Sequence, residues 1–168
     1  APYSSTMIHN GLGAGTYLVT VKDDNDCTDD TTITVEVYCN PIANFNAPPV
    51  CFDNLPVIFN DTSTNGTGNI NQWSWNMGGT GTYVGGSSSS SQNPQFSYDD
   101  CGTYNVTLTV TDDNGCTDDT TIVVEVYCEP TANFNSQESC VGDTTFLTDI
   151  STNGTGNINQ WSWNMGGT

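Results

Sequence analysis

The chain repeats itself over a distance that fits a small domain. Residues 63–80, STNGTGNINQWSWNMGGT, recur letter for letter as residues 151–168, and residues 23–39 recur with two changes as residues 112–128. Equivalent positions lie 88 or 89 residues apart, well above the periods of solenoid repeats. Each complete copy is therefore expected to have its own core. Tandem copies favour reach, rigidity or multivalency over catalysis, because a catalytic site gains little from duplication of its scaffold.

Charge and composition exclude several partners. The chain carries 19 acidic residues and one basic residue, Lys22, for a formal charge of −18. Nucleic acids and anionic lipid surfaces both require a basic patch, so neither is an expected partner. No apolar run is long enough to span a membrane and no signal-peptide pattern is present, so we expect no membrane insertion and a mature or excised chain.

Strict alternation of apolar and polar residues predicts an antiparallel hairpin. GTYNVTLTVTD, beginning at Gly102, places one apolar set on one face, and Asn114-Gly115 supplies a tight turn before a second alternating run. A similar hairpin is predicted before residue 38, with Asp26 in place of the turn glycine. Further strands are expected near residues 42–46, 56–61, 71–77 and 95–98, with no helical period anywhere, and the serine run 87–91 is interpreted as a flexible loop. The inward residues of the two strands are expected to be Tyr104, Val106, Leu108, Val110, Ile122, Val124 and Val126.

The repeat boundaries predict one complete domain and two halves. Residues 41–127 contain every strand of the unit, residues 1–38 contain only its last hairpin, and residues 129–168 contain only its first strands. A half-sandwich exposes unpaired strand edges and half a core. We therefore expect each half to be completed, either by continuation of the chain or by another copy of the chain arranged end to end as a filament.

Three segments together resemble the PKD (polycystic kidney disease) domain. They are PIANFNAPPVCFDNLPVIFNDTS at 41–63, WSWNMGGT at 73–80 and NPQFSYDDCGTYNVTLTVTDDNG at 93–115. The likeness is greatest to the cysteine-bearing PKD repeats of large secreted bacterial surface proteins, including adhesins. It implies an all-β fold, tandem immunoglobulin-like sandwiches of antiparallel sheets, used as spacer, stalk or adhesive module. The family's Trp-Asp-Phe-Gly-Asp-Gly turn is Trp-Asn-Met-Gly-Gly-Thr at 75–80, so both of its acids are absent.

The paired tryptophans have two interpretations. Trp73 and Trp75 lie two residues apart on a predicted strand and share a face. An aromatic platform for sugar rings is one interpretation. The one that we favour places Trp75 in the core and Trp73 near its rim, because large aromatic side chains supply most of the apolar area of a small core.

Acidic clusters stand at both predicted hairpin tips. They comprise Asp23, Asp24, Asp26, Asp29 and Asp30 in the first copy, and Asp112, Asp113, Asp118 and Asp119 in the second. Calcium is a candidate ligand, but the spacing is not that of an EF-hand loop, and Asp residues also form turns and guard strand edges. We therefore expect no cofactor. No catalytic triad can form around the lone histidine, His9, and the chain is expected not to be an enzyme.

Seven cysteines at repeated positions predict a disulfide framework and an extracellular location, secreted or at the cell surface. The topology of a sandwich favours the pairs Cys39–Cys116 and Cys51–Cys101. A competing scheme joins Cys101 to Cys128 at the base of the hairpin and leaves Cys51 to reach the next domain. Zinc is disfavoured because the chain has no CxxC pair.

Short motifs indicate glycosylation. Asn65 and Asn153 head Asn-Gly-Thr sequons. Thr31, Thr120 and Thr144 lie in Asp-Thr-Thr motifs that look like the O-glycosylation signal of the same bacterial group.

The function predicted from these features is structural. We expect an extracellular array that builds a rigid surface fibre, stalk or filament and serves adhesion or a matrix. The alternative is a carbohydrate-binding accessory repeat of a secreted hydrolase, in which glycans would be the partner.

Overall fold

The computed structural model describes residues 11–166, and the chain divides after Cys39 into two compact units. In the first unit, β1 (Gly15–Lys22) and β2 (Thr28–Val35) form an antiparallel hairpin in which Gly15 pairs with Val35 and Lys22 with Thr28. Over the residues that the structure describes, no helix has both the length and the apolarity needed to cross a membrane.

The second unit contains a β-sandwich followed by the first strands of another copy. The sandwich strands are β3 (Phe45–Asn46), β4 (Val50–Cys51), β5 (Val57–Ile58), β6 (Asn60–Asp61), β7 (Ile70–Asn76), β8 (Gly81–Val84), β9 (Gln95–Tyr98), β10 (Gly102–Asp112) and β11 (Thr117–Tyr127). A single 3-10 turn, Phe52–Asn54, follows β4. The expected all-β sandwich is confirmed.

Two layers enclose the core of this sandwich. One is a four-stranded sheet in the order β4-β11-β10-β7, and the other contains β5-β9-β8 together with the pair β3-β6. The long hairpin β10–β11 runs in unbroken register from Gly102↔Val126 to Thr111↔Thr117. Strand β4 adds to β11 in the parallel direction, whereas the other pairings of this sandwich are antiparallel.

The apolar residues that alternate along β10 and β11 form the centre of the core. Val106, Leu108 and Val110 are fully buried on β10, and Val124 and Val126 are buried on β11. They pack against a set from both layers that comprises Ala43, Phe45, Val57, Phe59, Trp75, Met77, Phe96 and Tyr98. Tyr104 and Ile122, also expected to face inward, pack at the edge of this core. The predicted hairpin and its inward face are confirmed.

A tyrosine corner ties the start of each hairpin to the preceding turn. The hydroxyl of Tyr104 donates to the carbonyl of Asp100 at 2.6 Å, and the hydroxyl of Tyr17 donates to that of Gly13 at 2.7 Å. This bond back to the upstream backbone is typical of immunoglobulin-like Greek-key folds. A Cβ atom at Gly79 would lie 2.4 Å from the Tyr104 ring. The ring therefore occupies the space of a side chain at this position, where the family's turn carries an acid.

The serine run is a loop, as expected, and hydrogen bonds hold it along the edge of β7; its flexibility stays a prediction. The backbone N–H of Trp75 donates to the carbonyl of Ser89 at 2.8 Å, and its indole N–H donates to that of Ser91 at 2.8 Å. The Ser87 hydroxyl is bonded to the carbonyls of Val84 and Gln95. The loop satisfies polar groups along β7 that would otherwise form an open strand edge.

The last copy is only partly built among the described residues. It contains β12 (Phe134–Ser136), β13 (Leu147–Asp149) and an isolated bridge between Thr131 and Thr152. Residues 157–166, whose sequence is that of β7 and its flanks, are not in a strand.

Candidate functional site

The tryptophans of the complete sandwich serve the core. Trp75 is buried, with its ring centroid 5.0 Å from that of Phe45 and 5.5 Å from that of Phe59. Trp73 is half-buried, and its indole N–H donates to Asp61 Oδ2 at 2.8 Å. The two rings therefore share a face that points into the fold, as the favoured interpretation predicts.

Asp61 is the centre of a polar clamp around Trp73. Its carboxylate also accepts hydrogen bonds from the Gln92 side chain and from the Ser63 backbone N–H. Partial burial acts to raise the pKa of Asp61, but the hydrogen bonds from Ser63, Trp73 and Gln92 outweigh it and hold this pKa below its usual value. The clamp recurs in the last copy, where Asp149 accepts the indole N–H of Trp161 at 2.9 Å.

The acidic residues at the hairpin tips close turns. Asp112 is buried, and its Oδ1 accepts the N–H groups of Asn114 and Cys116 at 3.0 and 2.8 Å. In the first copy, Asp23 Oδ1 accepts the N–H groups of Asn25 and Cys27 at 2.9 and 2.8 Å. These are Asx turns, in which the carboxylate replaces a backbone acceptor.

Two more carboxylates connect the tip of β10–β11 to neighbouring loops. Asp118 Oδ2 accepts the N–H of Ala43 at 2.8 Å, and Asp113 Oδ1 accepts that of Asn69 at 2.9 Å. Within residues 11–166, no three side chains of the His, Cys, Asp and Glu types are arranged to hold a metal ion. Calcium binding at the tips stays an expectation, and His9 lies outside the described residues.

The disulfide of the complete sandwich joins Cys101 to Cys128, with their Cα atoms 5.1 Å apart. The predicted Cys51–Cys101 pair is therefore wrong, and the competing scheme is right for this bridge. The reason is register: Gly102 pairs with Val126, so the residues that flank the hairpin base meet, whereas Cys51 lies beside Tyr127 on the neighbouring strand. The Cys39–Cys116 pair stays a prediction.

A joint connects the complete sandwich to the following copy. The N–H of Cys128 donates to Thr155 Oγ1 at 2.7 Å, and the N–H of Thr155 donates to the carbonyl of Cys128 at 3.0 Å. A Cβ atom at Gly154 would lie 1.9 Å from that same carbonyl oxygen. Residues 153–155 therefore form the surface against which the end of the preceding domain packs. Sequence analysis missed this role, although the unchanged recurrence of the Asn-Gly-Thr loop was a signal of it.

The predicted glycosylation residues lie on this loop and on the strands. The Asn65 side chain donates to Asn69 Oδ1 and accepts the N–H of Ile70, and Asn153 makes the same pair of bonds with Asn157 and Ile158. These amides hold a loop together. Thr31 lies on β2, Thr120 on β11, and Thr144 in an exposed segment before β13. Modification of these five residues stays a prediction.

Comparison with protein families gives a match over the complete sandwich. The family model described as PKD domain matches residues 38–126. The pre-pro-metalloprotease PrtV of Vibrio cholerae is 37% identical over 78 residues, which are 46% of this chain and 8% of that protein. The chain thus corresponds to a small part of the length of its curated relatives.

Similar solved structures include the following three. The PKD1 domain of Vibrio anguillarum Epp is 34% identical, with a TM-score of 0.45, over 54% of this chain and 96% of that one. The PKD1 domain of Vibrio cholerae PrtV is 34% identical, with a TM-score of 0.43, over 52% and 98%. A structure described as showing promiscuous specificity of carbohydrate-binding modules is 22% identical, with a TM-score of 0.44, over 65% and 52%.

Proposed function

The chain belongs to the PKD domain family, and from that premise we propose that it is a tandem array of non-catalytic accessory domains of a larger extracellular protein. In this role the domains act as spacers that hold other parts of the protein apart. The relative that carries a similar domain devotes 8% of its length to the matched part and is named a pre-pro-metalloprotease. That context favours an accessory repeat of a secreted hydrolase over an adhesive surface fibre.

The joint between consecutive copies is the observation that carries the spacer role. The end of β11 and the loop at residues 153–155 exchange two backbone-anchored hydrogen bonds. A second contact lies beside it, where Glu129 Oε1 accepts the N–H of Asp53 at 2.7 Å. A flexible linker needs no such bonds, whereas a stiff spacer needs its domains fixed at each junction.

The polar side chains of the complete sandwich support the absence of catalysis. Asp61, Asp112, Asp113 and Asp118 bond backbone or indole N–H groups of their own fold. Catalytic carboxylates instead converge on a cleft where a reacting atom can sit. The buried Trp75 and half-buried Trp73 likewise favour a spacer over a sugar-binding module. The Cys101–Cys128 bridge supports an oxidising location outside the cytosol.

A completed two-domain chain provides the test. Residues 81–128 can be appended after Thr168, because residues 151–168 are identical to residues 63–80, and the appended strands then finish the second sandwich. Spin labels are placed on Cys51 and Cys140, which are exposed and equivalent, with every other cysteine outside the Cys101–Cys128 bridge and its copy changed to Ser. A spacer predicts one narrow distance distribution between the labels by pulsed electron paramagnetic resonance.

Two glycine variants control this measurement. Gly154→Ala places a methyl group against the Cys128 carbonyl and is expected to broaden the distribution, whereas Gly13→Ala, in the first hairpin unit, meets open space and is expected to leave it narrow. A broad distribution in the parent two-domain chain would contradict the spacer role. Specific retention on a glycan array, lost in Trp73→Ala without unfolding, would instead favour the sugar-binding alternative.

A further inference from the structure

The complete sandwich has one strand edge that its own strands leave largely open. Strand β11 pairs with β10 from Thr117 to Val126, but on its other side only its last two residues, Val126 and Tyr127, pair with β4. Among the residues that the structure describes, no third strand pairs with β11. All nine strands of this sandwich are in place. The open stretch, residues 117–123, is therefore an edge of a finished domain, and we call it the β11 edge.

The hydrogen bonds of the hairpin show which backbone groups face this edge. The N–H of Asp112 donates to the carbonyl of Cys116 at 3.0 Å, at the end of the β10–β11 ladder. Hydrogen-bonded and non-hydrogen-bonded pairs alternate along an antiparallel ladder. The even-numbered residues of β11 therefore bond to β10, and the odd-numbered ones direct their N–H and C=O groups away from it. On the β11 edge these outward residues are Thr117, Asp119, Thr121 and Val123, all of them exposed.

Two prolines explain why β4 does not cover the β11 edge. Stepping back from Val50 along the parallel register, Pro49 takes the place beside Glu125 and Pro48 the place beside Val124. Proline has no N–H and cannot extend a ladder. The chain before the prolines belongs to the other layer, where β3 pairs with β6. The chain thus crosses from one layer to the other and leaves the β11 edge open.

The side chains beside this edge are acidic or β-branched. Asp119 and Glu125 are exposed, and Thr121 and Val123 lie between them on the same face. Charges on an edge strand commonly prevent it from pairing with another copy of itself. In a chain with a formal charge of −18, pairing of two such edges would bring like charges together. The charge of the edge therefore disfavours a second copy and favours a cationic strand.

We propose that the β11 edge binds an extended, cationic segment of another protein, which joins the four-stranded sheet as a further strand. Main-chain hydrogen bonds supply the affinity, and the side chains opposite Asp119 and Glu125 supply the specificity. These two carboxylates are six residues apart, which is about 20 Å along a strand. A partner with Lys or Arg at the same spacing faces both. β-Branched residues between them fit beside Thr121 and Val123.

A peptide of this pattern tests the proposal on the whole chain. The probe is capped Lys-Thr-Val-Thr-Val-Thr-Lys, and the same peptide with Glu in place of both Lys is its control. Residue-resolved amide hydrogen exchange by NMR is expected to slow by about 10-fold or more at Asp119, Thr121 and Val123 when the lysine peptide is added. The N–H groups of Thr120 and Ile122 already bond to β10 and are expected to change little. Binding is expected to weaken as salt is added.

Thr121→Pro tests the backbone contact. Because the Thr121 N–H faces the edge, proline removes a donor from the partner and leaves the β10–β11 ladder intact. It is expected to weaken binding by about 10-fold. Thr121→Ala is the matched control, because it removes the same hydroxyl, which is bonded to that of Thr107, but keeps the N–H. Asp119→Asn is expected to weaken binding by about two- to five-fold and to reduce its dependence on salt.

Several results would overturn the proposal. One is the absence of slowed exchange on the β11 edge with the lysine peptide, a measurement on the parent chain that does not depend on how any variant folds. Equal binding of the glutamate peptide would be another, as would a folded Thr121→Pro chain that binds as well as Thr121→Ala. Slowed exchange that grows with protein concentration in the absence of peptide would show that a second copy of the chain occupies the edge instead.

Discussion

An eighteen-residue sequence occurs twice in this chain, and its described residues lie in two different environments. In the complete sandwich, residues 63–80 include strand β7, which pairs with β10 and buries Trp75. In the last copy, the identical residues form no strand as far as Gly166, where the described part ends, and Trp163 is 41% exposed. The sequence is constant, so the difference comes from the partner. The hairpin β10–β11 covers the first copy, and no described hairpin covers the second.

The contacts that remain in the last copy, without a covering hairpin, are local in sequence. Both copies keep the loop bonds of Asn65 and Asn153, and both keep the indole-to-carboxylate bond of the tryptophan clamp. These contacts span 12 residues or fewer. The strand and its burial depend instead on residues more than 30 positions away, such as Leu108. In this fold, the local hydrogen bonds therefore form without the hairpin, whereas strand β7 and the burial of its tryptophan require pairing with a hairpin distant in sequence.

The largest expected effect comes from removing core volume at matched positions of the two hairpins. Leu108→Ala leaves a cavity under Trp75 and is expected to lower the free energy of unfolding by about 2–5 kcal/mol. Val19→Ala, at the equivalent place in the first hairpin, is expected to change it by no more than about 0.5 kcal/mol, because Val19 is already 51% exposed. Urea unfolding at low protein concentration, followed by tryptophan fluorescence, measures both. Equal losses would show that the two hairpins are equally packed.

The disulfide provides the next contrast. Cys101 and Cys128 close a loop with a sequence separation of 27 residues. Replacing both with Ser is expected to lower the free energy of unfolding by about 3 kcal/mol, because the unfolded chain regains the entropy of that loop. Cys27 is exposed at the tip of the first hairpin, and Cys27→Ser is the control, expected to have no measurable effect. If only Cys27→Ser lowered the free energy of unfolding, the Cys101–Cys128 bridge would not be the stabilising one.

The smallest expected effect is on the decrease in stability at acid pH that results from protonation of Asp61. Because the folded pKa of Asp61 is lowered, its contribution is fully present above the unfolded pKa of about 3.9 and is lost as the pH falls through the folded value. Asp61→Asn is expected to flatten the fall in stability below about pH 4. Asp149→Asn is the counterpart in the unfinished copy, and it is expected to leave the curve of the complete sandwich unchanged. Thermal melts between pH 2 and pH 5, as an approximate range around that pKa, compare the two.

Sequence reasoning found most of the strands and missed β4 and β8. The β10–β11 hairpin and β7 were predicted because several residues of one period identify a strand, and the segments that contain the shorter strands β3, β5, β6 and β9 were predicted as well. Strands β4 and β8 lie beside Pro-Pro and Gly-Gly pairs, which indicate turns and hide the strand. The edge role of Ser89 depends on backbone bonds, which a run of serines does not reveal. The Cys101–Cys128 bridge depended on a register that the sequence allowed but did not select.

The bridge also bears on what happens when the array is pulled from its ends. A tensed domain lengthens by the residues that can leave its fold, and each contributes about 3.3–3.6 Å when extended. The disulfide carries the force directly from Cys101 to Cys128, which are 27 residues apart in sequence. Roughly 90 Å of chain between them is therefore not extended. The shielded segment contains β10 and β11, the strands on which the tryptophan face rests. Even a domain whose early strands have been drawn out would keep this hairpin as a surface for rebuilding when the tension falls.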